Sequence, residues 1–369
     1  MTDTNPLNTR LCEQYGCEVP IVAFAHTKDV IAAVTNAGGI GILGAAGTTP
    51  DQLRSAIDWI RERVGNKPFG VDLLVPASFV EGNREDLEAM IPAGHREFVA
   101  NLQKSNNIPD PSRGGGRTGG LGPELLRHSR EQLDVLFEKK VPIFASGLGS
   151  PAFVIERAHE TGMKVWGLVG LPRQARRQIE AGVDVVIAQG YDSGGHSGTI
   201  GTFTLVPEVV SMAEGSNTLV LAGGGISNGR QLAAALAMGA DGIWTGTIWL
   251  ATHESETEMF LKQRLVEAQA EDAIQSRATS GKPIRQLRSK WSDAWKAPGA
   301  PEPLPMPLQP MLVSNILAGI NQARMEDWMT TPAGQSVVGI HSIRPAAEVV
   351  FSLVEEAQDQ FDRLNGVRV

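Results

Sequence analysis

Cysteine is nearly absent. The 369 residues hold only Cys12 and Cys17, which cannot build a disulfide framework, and no second Cys or His pair lies beside them to complete a metal site. Both read as incidental, and no metal is expected. Long apolar runs are missing as well: nothing approaches the roughly 18 uninterrupted apolar residues of a membrane span. The opening MTDTNPLNTRL lacks the basic-then-apolar layout of a signal peptide, so a cytoplasmic location is the expectation. Nor is there an excess of positive charge. A net charge of −8 argues against nucleic acid or an anionic membrane as the main partner. The phosphate-binding pattern GxxxxGK[ST] does not occur, and no GxGxxG opens a βαβ unit, which removes a P-loop and a Rossmann dinucleotide site. Glycine, in contrast, is plentiful and clustered. The stretch AQGYDSGGHSGTIG (188–201) sets five glycines around one histidine, His196.

Short β-rich runs alternate with longer amphipathic stretches, the pattern of a parallel sheet with crossover helices. Eight candidate strands follow: 19–25, 40–46, 69–75, 141–147, 164–170, 184–190, 218–224 and 241–247. They are apolar throughout rather than alternating, as strands covered on both faces should be. Helical patterns lie between them, several opened by capping signals at Thr49-Pro50-Asp51, Ser150-Pro151 and Ser227-Asn228. Eight βα units in about 250 residues match a (β/α)8 TIM barrel, with an open doubly wound sheet as the rival. The barrel is expected over 1–75 and 122–277. A long insertion after the third strand (76–121) is a candidate lid, with Arg113 and Arg117 in its glycine-rich part (113–121). A smaller, mostly helical second domain (278–333) would sit over the barrel mouth, and a closing helix (334–369) would end the chain.

In such a barrel the site forms at the C-terminal strand ends. The first strand delivers Ala23, Phe24, Ala25 and His26, the third Asp72, and the sixth Gln189 followed by the glycine stretch. The seventh delivers Gly223, Gly224 and Gly225, and the eighth Trp244, Thr245, Gly246 and Thr247. Glycine turns after the last two strands, each leading to a helix N-terminus, are where these barrels usually hold a phosphate. Backbone amides can converge on an anion there, and Thr247 can add a hydroxyl. The bland alternative is that a tight βα turn also favours glycine.

These motifs together resemble the nitronate monooxygenase family, formerly called 2-nitropropane dioxygenases, which are FMN-dependent TIM barrels. The resemblance runs through VPIVAFA…VTNAGGIGILGA, FGVDLLVP, AGVDVVIAQGYDSGGHSGTIGTFTLVPEV, AGGGISNGRQLAAALAMGADGIWTGT and TSGKPIRQLRS. It implies that His196 stands beside the flavin as the catalytic residue and that Gln189, Gly194 and Gly195 contact FMN. It also implies that the turn around Gly224 and the Trp244–Thr247 segment hold the flavin phosphate and ribityl chain. The chain departs from the family at Asp72, where asparagine is usual, at Ala23, at His26 and at Tyr191-Asp192-Ser193. His26, Tyr191 and Ser193 are therefore candidate substrate contacts.

A histidine with an ordinary pKa near 6.5 can act as a base toward a nitroalkane or as a cationic donor to a nitronate, while the cofactor carries the redox chemistry. Glycines at 194 and 195 would keep side chains off the flavin face, or merely satisfy the dihedrals of a turn. Asp72 would accept a hydrogen bond from the ribityl chain or be held by a neighbouring cation. His95, His128, His159 and His253 fall on helices, where exposed or capping roles are expected. Trp291 and Trp295 share a helical face, as core or as a roof over the cavity. The leading expectation is oxidation of an alkyl nitronate by FMN and O2. The alternative is a reductase on the same scaffold, passing hydride from NAD(P)H to a quinone or an enoyl thioester. Either takes a small-molecule substrate, and a homodimer is compatible with both.

Overall fold

The computed structural model describes residues 5–74, 84–111, 123–147 and 149–366. All eight expected runs are strands. They are β1 (Ile21–Ala25), β2 (Ile40–Gly44), β3 (Phe69–Leu74), β4 (Ile143–Gly147), β5 (Lys164–Val169), β6 (Val185–Gln189) and, after a two-residue strand β7 (Gly195–His196), β8 (Leu219–Gly223) and β9 (Gly242–Thr245). They pair in parallel in the order β1-β2-β3-β4-β5-β6-β8-β9, and the barrel closes where Val22 lies opposite Trp244.

Strand alternation explains why these runs are apolar at every position. Val22, Ile40, Ile42, Ile143, Trp166, Val185, Ile187, Leu219 and Leu221 fill the barrel interior with Trp244. Their neighbours Ile21, Ala23, Leu43, Val71, Phe144, Val186 and Val220 face outward and bury against the helices. The capping signals act as the sequence predicts. Thr49 and Gln52 form a reciprocal capping box on helix Pro50–Val64, Ser150 accepts from the amide of Ala152, and Asn228 caps helix Gly229–Ala237.

Helix Arg10–Tyr15 plugs the barrel floor, bringing Leu11, Cys12 and Cys17 under the interior residues. The cysteines are buried and unbridged. Asp241 clamps this plug. Its carboxylate accepts two bonds from Arg10, at 2.8 and 2.9 Å, and one from the amide of Val220, while its carbonyl accepts from the Thr9 hydroxyl.

Two further strands lie outside the barrel, β10 (Ala273–Ser276) and β11 (Ile284–Leu287), antiparallel to each other. The expected start of the second unit, 278, falls between these two partnered strands, while helices Lys290–Ala294 and Leu308–Gln322 make up most of its regular structure. The inserted segment is also more than a lid. Val99 and Ile108 share one core with Ala278, Trp291, Trp295, Val313, Ile316, Ile320 and Trp328. A Cβ on Gly319 would collide with the carbonyl of Pro109, so helix Leu308–Gln322 lies directly on that segment. Trp291 and Trp295 are core residues, 5.8 Å apart between ring centroids. Arg113, Arg117 and the rest of 112–122 lie outside the described residues. The closing helix Ala346–Leu364 packs on helix Gly229–Ala237, whose first amide donates to Glu356. No helix among the described residues is long and apolar enough to cross a membrane.

Asp241→Ala removes an almost fully buried acceptor of three hydrogen bonds, two from a half-exposed arginine. Thermal or denaturant unfolding should show a loss of about 2 kcal/mol.

Candidate active site

A cleft of about 1000 Å3 opens at the C-terminal ends of the barrel strands. Phe24, Ala25, His26, Asp72, Gln189, Ser193, Gly194, Gly195, His196, Gly224, Gly225, Trp244, Thr245, Gly246 and Thr247 all line it. Three of the expected contacts do not. Ala23 faces outward into the helix layer, Gly223 is buried within β8, and Tyr191 lies beneath a guanidinium, with Arg285 Cζ 4.5 Å from its ring centroid.

The glycine stretch is a scaffolded strap. Gly195 and His196 form β7, which pairs antiparallel with Arg285 and Ile284 of β11. Arg285 is buried and donates to the carbonyls of Ala273 (2.6 Å) and Tyr191 (3.2 Å), tying β10 to the strap. The Asp192 carboxylate caps helix Thr202–Ala213 by accepting from the amide of Thr202 at 2.9 Å, and the Asp192 carbonyl accepts from Gln335. Ser193 sits against Gly224, at the turn after β8. Tyr191 and Asp192 therefore help build the strap, and Ser193 lines the cleft beside the Gly224 turn.

The glycines have reasons of their own. A Cβ at Gly190 would collide with Thr202, one at Gly194 with the backbone of Ala333 and Gly334, and one at Gly198 with the carbonyl of Gly170. Chain-on-chain packing already excludes side chains at these three positions. Gly195 has φ +74°, a left-handed backbone that favours glycine.

His196 Nε2 lies 2.9 Å from the hydroxyl of Ser280, which also contacts the backbone of Lys282. Burial, helped by the Lys282 charge, pushes the imidazole down from 6.5 to about 4. Burial thus favours the neutral imidazole at neutral pH. A serine hydroxyl both donates and accepts, so it supports either tautomer. Nδ1 then carries a lone pair in one and a proton in the other. His26 has a fixed tautomer: its Nδ1 must donate to the Gly44 carbonyl at 2.8 Å.

Asp72 is buried, and burial alone raises its carboxyl well above the usual range. Among the described residues no cation pairs with it, and Oδ2 has no hydrogen-bond partner. Burial favours the protonated carboxyl, and in that form it would offer one donor and one acceptor, as an asparagine amide does. Gln178 Oε1 and Ser193 Oγ are likewise buried, unpartnered and in residues lining the cleft.

The anion cradle also differs in detail. At the N-terminus of helix Gly229–Ala237 two of the first three amides are taken, since Gly229 donates to Glu356 and Gln231 to Asn228. An anion would be held by the turn itself, where Gly224 adopts φ +97°. Thr247 accepts from the amide of Gly334 at 2.9 Å and keeps its proton to donate. The Thr245 hydroxyl is committed, donating to Val22 O and accepting from Trp249 Nε1. Phe24 stacks on Trp244 at 5.6 Å to form the apolar floor. A flat aromatic cofactor with one phosphate fits this combination of apolar floor, orphaned polar atoms and glycine turn.

Sequence reasoning did not single out Ser280, Lys282, Gln178 or Arg177, although Lys282, Gln178 and Arg177 also line the cleft. Ser280 and Lys282 lie in TSGKPIRQLRS, a stretch noted for its likeness alone. Gln178 and Arg177 sit in an ordinary amphipathic helix and carried no signal. Among the described residues no group of His, Cys, Asp and Glu could hold a metal.

The family model described as nitronate monooxygenase matches residues 9–356. A Mycobacterium tuberculosis protein assigned as a monooxygenase, Rv1533, is 42% identical over 98% of this chain and 99% of its own length. A solved structure of nitroalkane oxidase from Streptomyces ansochromogenes is 29% identical with a TM-score of 0.77, covering 94% of this chain and 98% of that one. FabK from Thermotoga maritima is similar at 29% identity and a TM-score of 0.75, covering 98% and 99%.

The two shifted groups have opposite consequences for stability. His196 is depressed on folding, so its contribution is complete above about pH 6.5 and is lost as pH falls toward 4. Denaturant unfolding at pH 7 and 4.5 should cost the wild type about 2 kcal/mol more than His196→Asn. Asp72 is raised on folding, so its cost grows as pH climbs above the ordinary carboxyl range. Asp72→Asn should therefore melt several degrees above the wild type at pH 8, with the gap closing toward pH 4.

Proposed function

The chain belongs to the nitronate monooxygenase family and is a flavin-dependent oxidoreductase; from that premise we propose FMN as its cofactor and an alkyl nitronate, oxidised with O2, as its substrate. The observation that carries this reading is a buried histidine, pinned by strand pairing and by Ser280, near a lysine with no acidic partner among the described residues, in a cleft that ends in a glycine turn.

The residues would divide the work as follows. Gly224, Gly225, Gly246 and the Thr247 hydroxyl would hold the FMN phosphate. The orphaned polar atoms of Asp72, Gln178 and Ser193 would take its remaining polar groups, and Phe24 and Trp244 would bound its apolar part. FMN, when bound, supplies the electron acceptance from nitronate and the passage of electrons to O2. His196 Nδ1, in the tautomer with Nε2–H donated to Ser280, removes the α-proton from a nitroalkane and so yields the nitronate in place. In the other tautomer Nδ1–H donates to a nitronate oxygen. Lys282 favours the anion over its conjugate acid by charge.

A second reading, reduction of a quinone or enoyl thioester by NAD(P)H, is favoured by the likeness to FabK from Thermotoga maritima, 29% identical over 98% of this chain. Anaerobic mixing separates the two. Flavin bleached by nitronate alone supports oxidation, and flavin bleached by NADH or NADPH but not by nitronate overturns it. Within the leading reading, His196→Asn should retain FMN and lose turnover about a hundredfold or more, the scale of acid–base assistance. Near-normal turnover in steady-state assays would remove His196 from the chemistry.

A further inference from the structure

A second groove of about 490 Å3 lies beside the cleft, walled by Gln275, Arg277, Pro283, Trp295, Lys296 and Glu302. Pro283 lines both cavities, so the two meet across the turn joining β10 to β11. This is where a chain of net charge −8 turns positive. Between 277 and 296 it carries Arg277, Lys282, Arg285, Arg288, Lys290 and Lys296 against Asp293 alone.

Three of these cations are engaged. Arg285 is buried on carbonyls, Arg288 pairs with Asp293 at 2.9 Å, and Lys290 with Asp327 at 2.7 Å. Arg277, Lys282 and Lys296 have no acidic partner among the described residues. Arg277 donates only its Nε, to the carbonyl of Gly281 at 2.9 Å. All three line one cavity or the other, and Glu302 is the single carboxylate in the groove. Trp295, in the same wall, is 6% exposed, and its indole Nε1 is buried without a hydrogen-bond partner among the described residues.

We propose that this groove binds the diphosphate-bearing end of an extended ligand whose reactive end lies beside His196, with Lys282 and Pro283 at the passage between the two cavities. The assignment rests on the reading of the cleft as the reaction site. The shared chemistry is an organic diphosphate, carried either by a coenzyme A thioester or by a reduced nicotinamide dinucleotide. Phosphate oxygens supply acceptors for Arg277 and Lys296, and a planar arginine favours paired phosphate contacts.

The test is calorimetric titration of ADP into the flavin-loaded full chain and into the double variant R277E/K296E, both positions being exposed and outside the proposed catalytic set. Saturable binding by the wild type, weakened about tenfold or more in the variant with flavin content and short-nitronate turnover unchanged, supports the groove. No binding, or equal binding by both proteins, overturns it. Competition with ADP then identifies the source. Displacement by NADPH with anaerobic bleaching of the flavin assigns the dinucleotide, displacement by a coenzyme A thioester without bleaching assigns the thioester, and displacement by neither overturns the extended-ligand assignment. If the wild type turns over no nitronate while ADP still binds through Arg277 and Lys296, the nitronate reading fails and the groove stands.

Discussion

The pairing of Gly195–His196 with Ile284–Arg285 is the contact on which the site depends. Two residues of strand are too few to hold a backbone by themselves. Here they complete a three-stranded sheet whose other members come from about 80 residues further along the chain, and Arg285 bolts that sheet to the strap through the Ala273 and Tyr191 carbonyls. His196 consequently takes its position from the second unit rather than from the barrel. A roof that shifted would carry the imbalance directly to the imidazole, because Ser280 and Lys282 ride on the same turn. Catalytic geometry and substrate enclosure are in this way properties of one sheet.

Burial rather than ion pairing sets the charge of the cleft. Asp72 and His196 both line the cleft, and desolvation favours the neutral form of each, by raising the pKa of one and lowering that of the other. The lining also carries the side chains of Arg177, Lys282 and Glu256. Burial keeps the imidazole unprotonated at neutral pH, with a lone pair to offer, and makes it a weaker base than a free histidine.

The barrel was legible because its strands are buried on both faces, which leaves uninterrupted apolar runs that no surface element reproduces. The small sheet was not. AIQS and IRQL are four residues each, half polar, and their partner is a Gly-His pair, so neither length nor periodicity marks them. The union of the insertion with the later segment was equally silent, since Val99 and Ile108 meet Trp291 and Ile316 only through a fold that brings distant stretches together. At the site, residue types were readable while their reasons were not. The glycines at 190, 194 and 198 look like adaptations to a ligand until the chain segments they admit are seen: Thr202, Ala333 with Gly334, and Gly170. Tyr191 and Asp192 look like specificity residues for the same cause, and prove to be a platform for Arg285 and a helix cap.

That division bears on how one scaffold hosts different reactions. The floor of the cleft, from Phe24 and Trp244 to the turn at Gly224, is built by strand ends of the barrel and is fixed by its closure. The roof comes from a unit with its own core, and it alone contributes Ser280, Lys282, Pro283, Thr331 and Pro332 to the lining or to the histidine. Cofactor binding can therefore stay constant while the roof changes the charge, width and reach of the substrate space. In this chain the roof is cationic and continues past Pro283 into a second groove, features that a short nitronate does not use and an elongated anion does. Selection on substrate would act first on residues 277–296, where a charge can be gained or lost at exposed positions without disturbing either core.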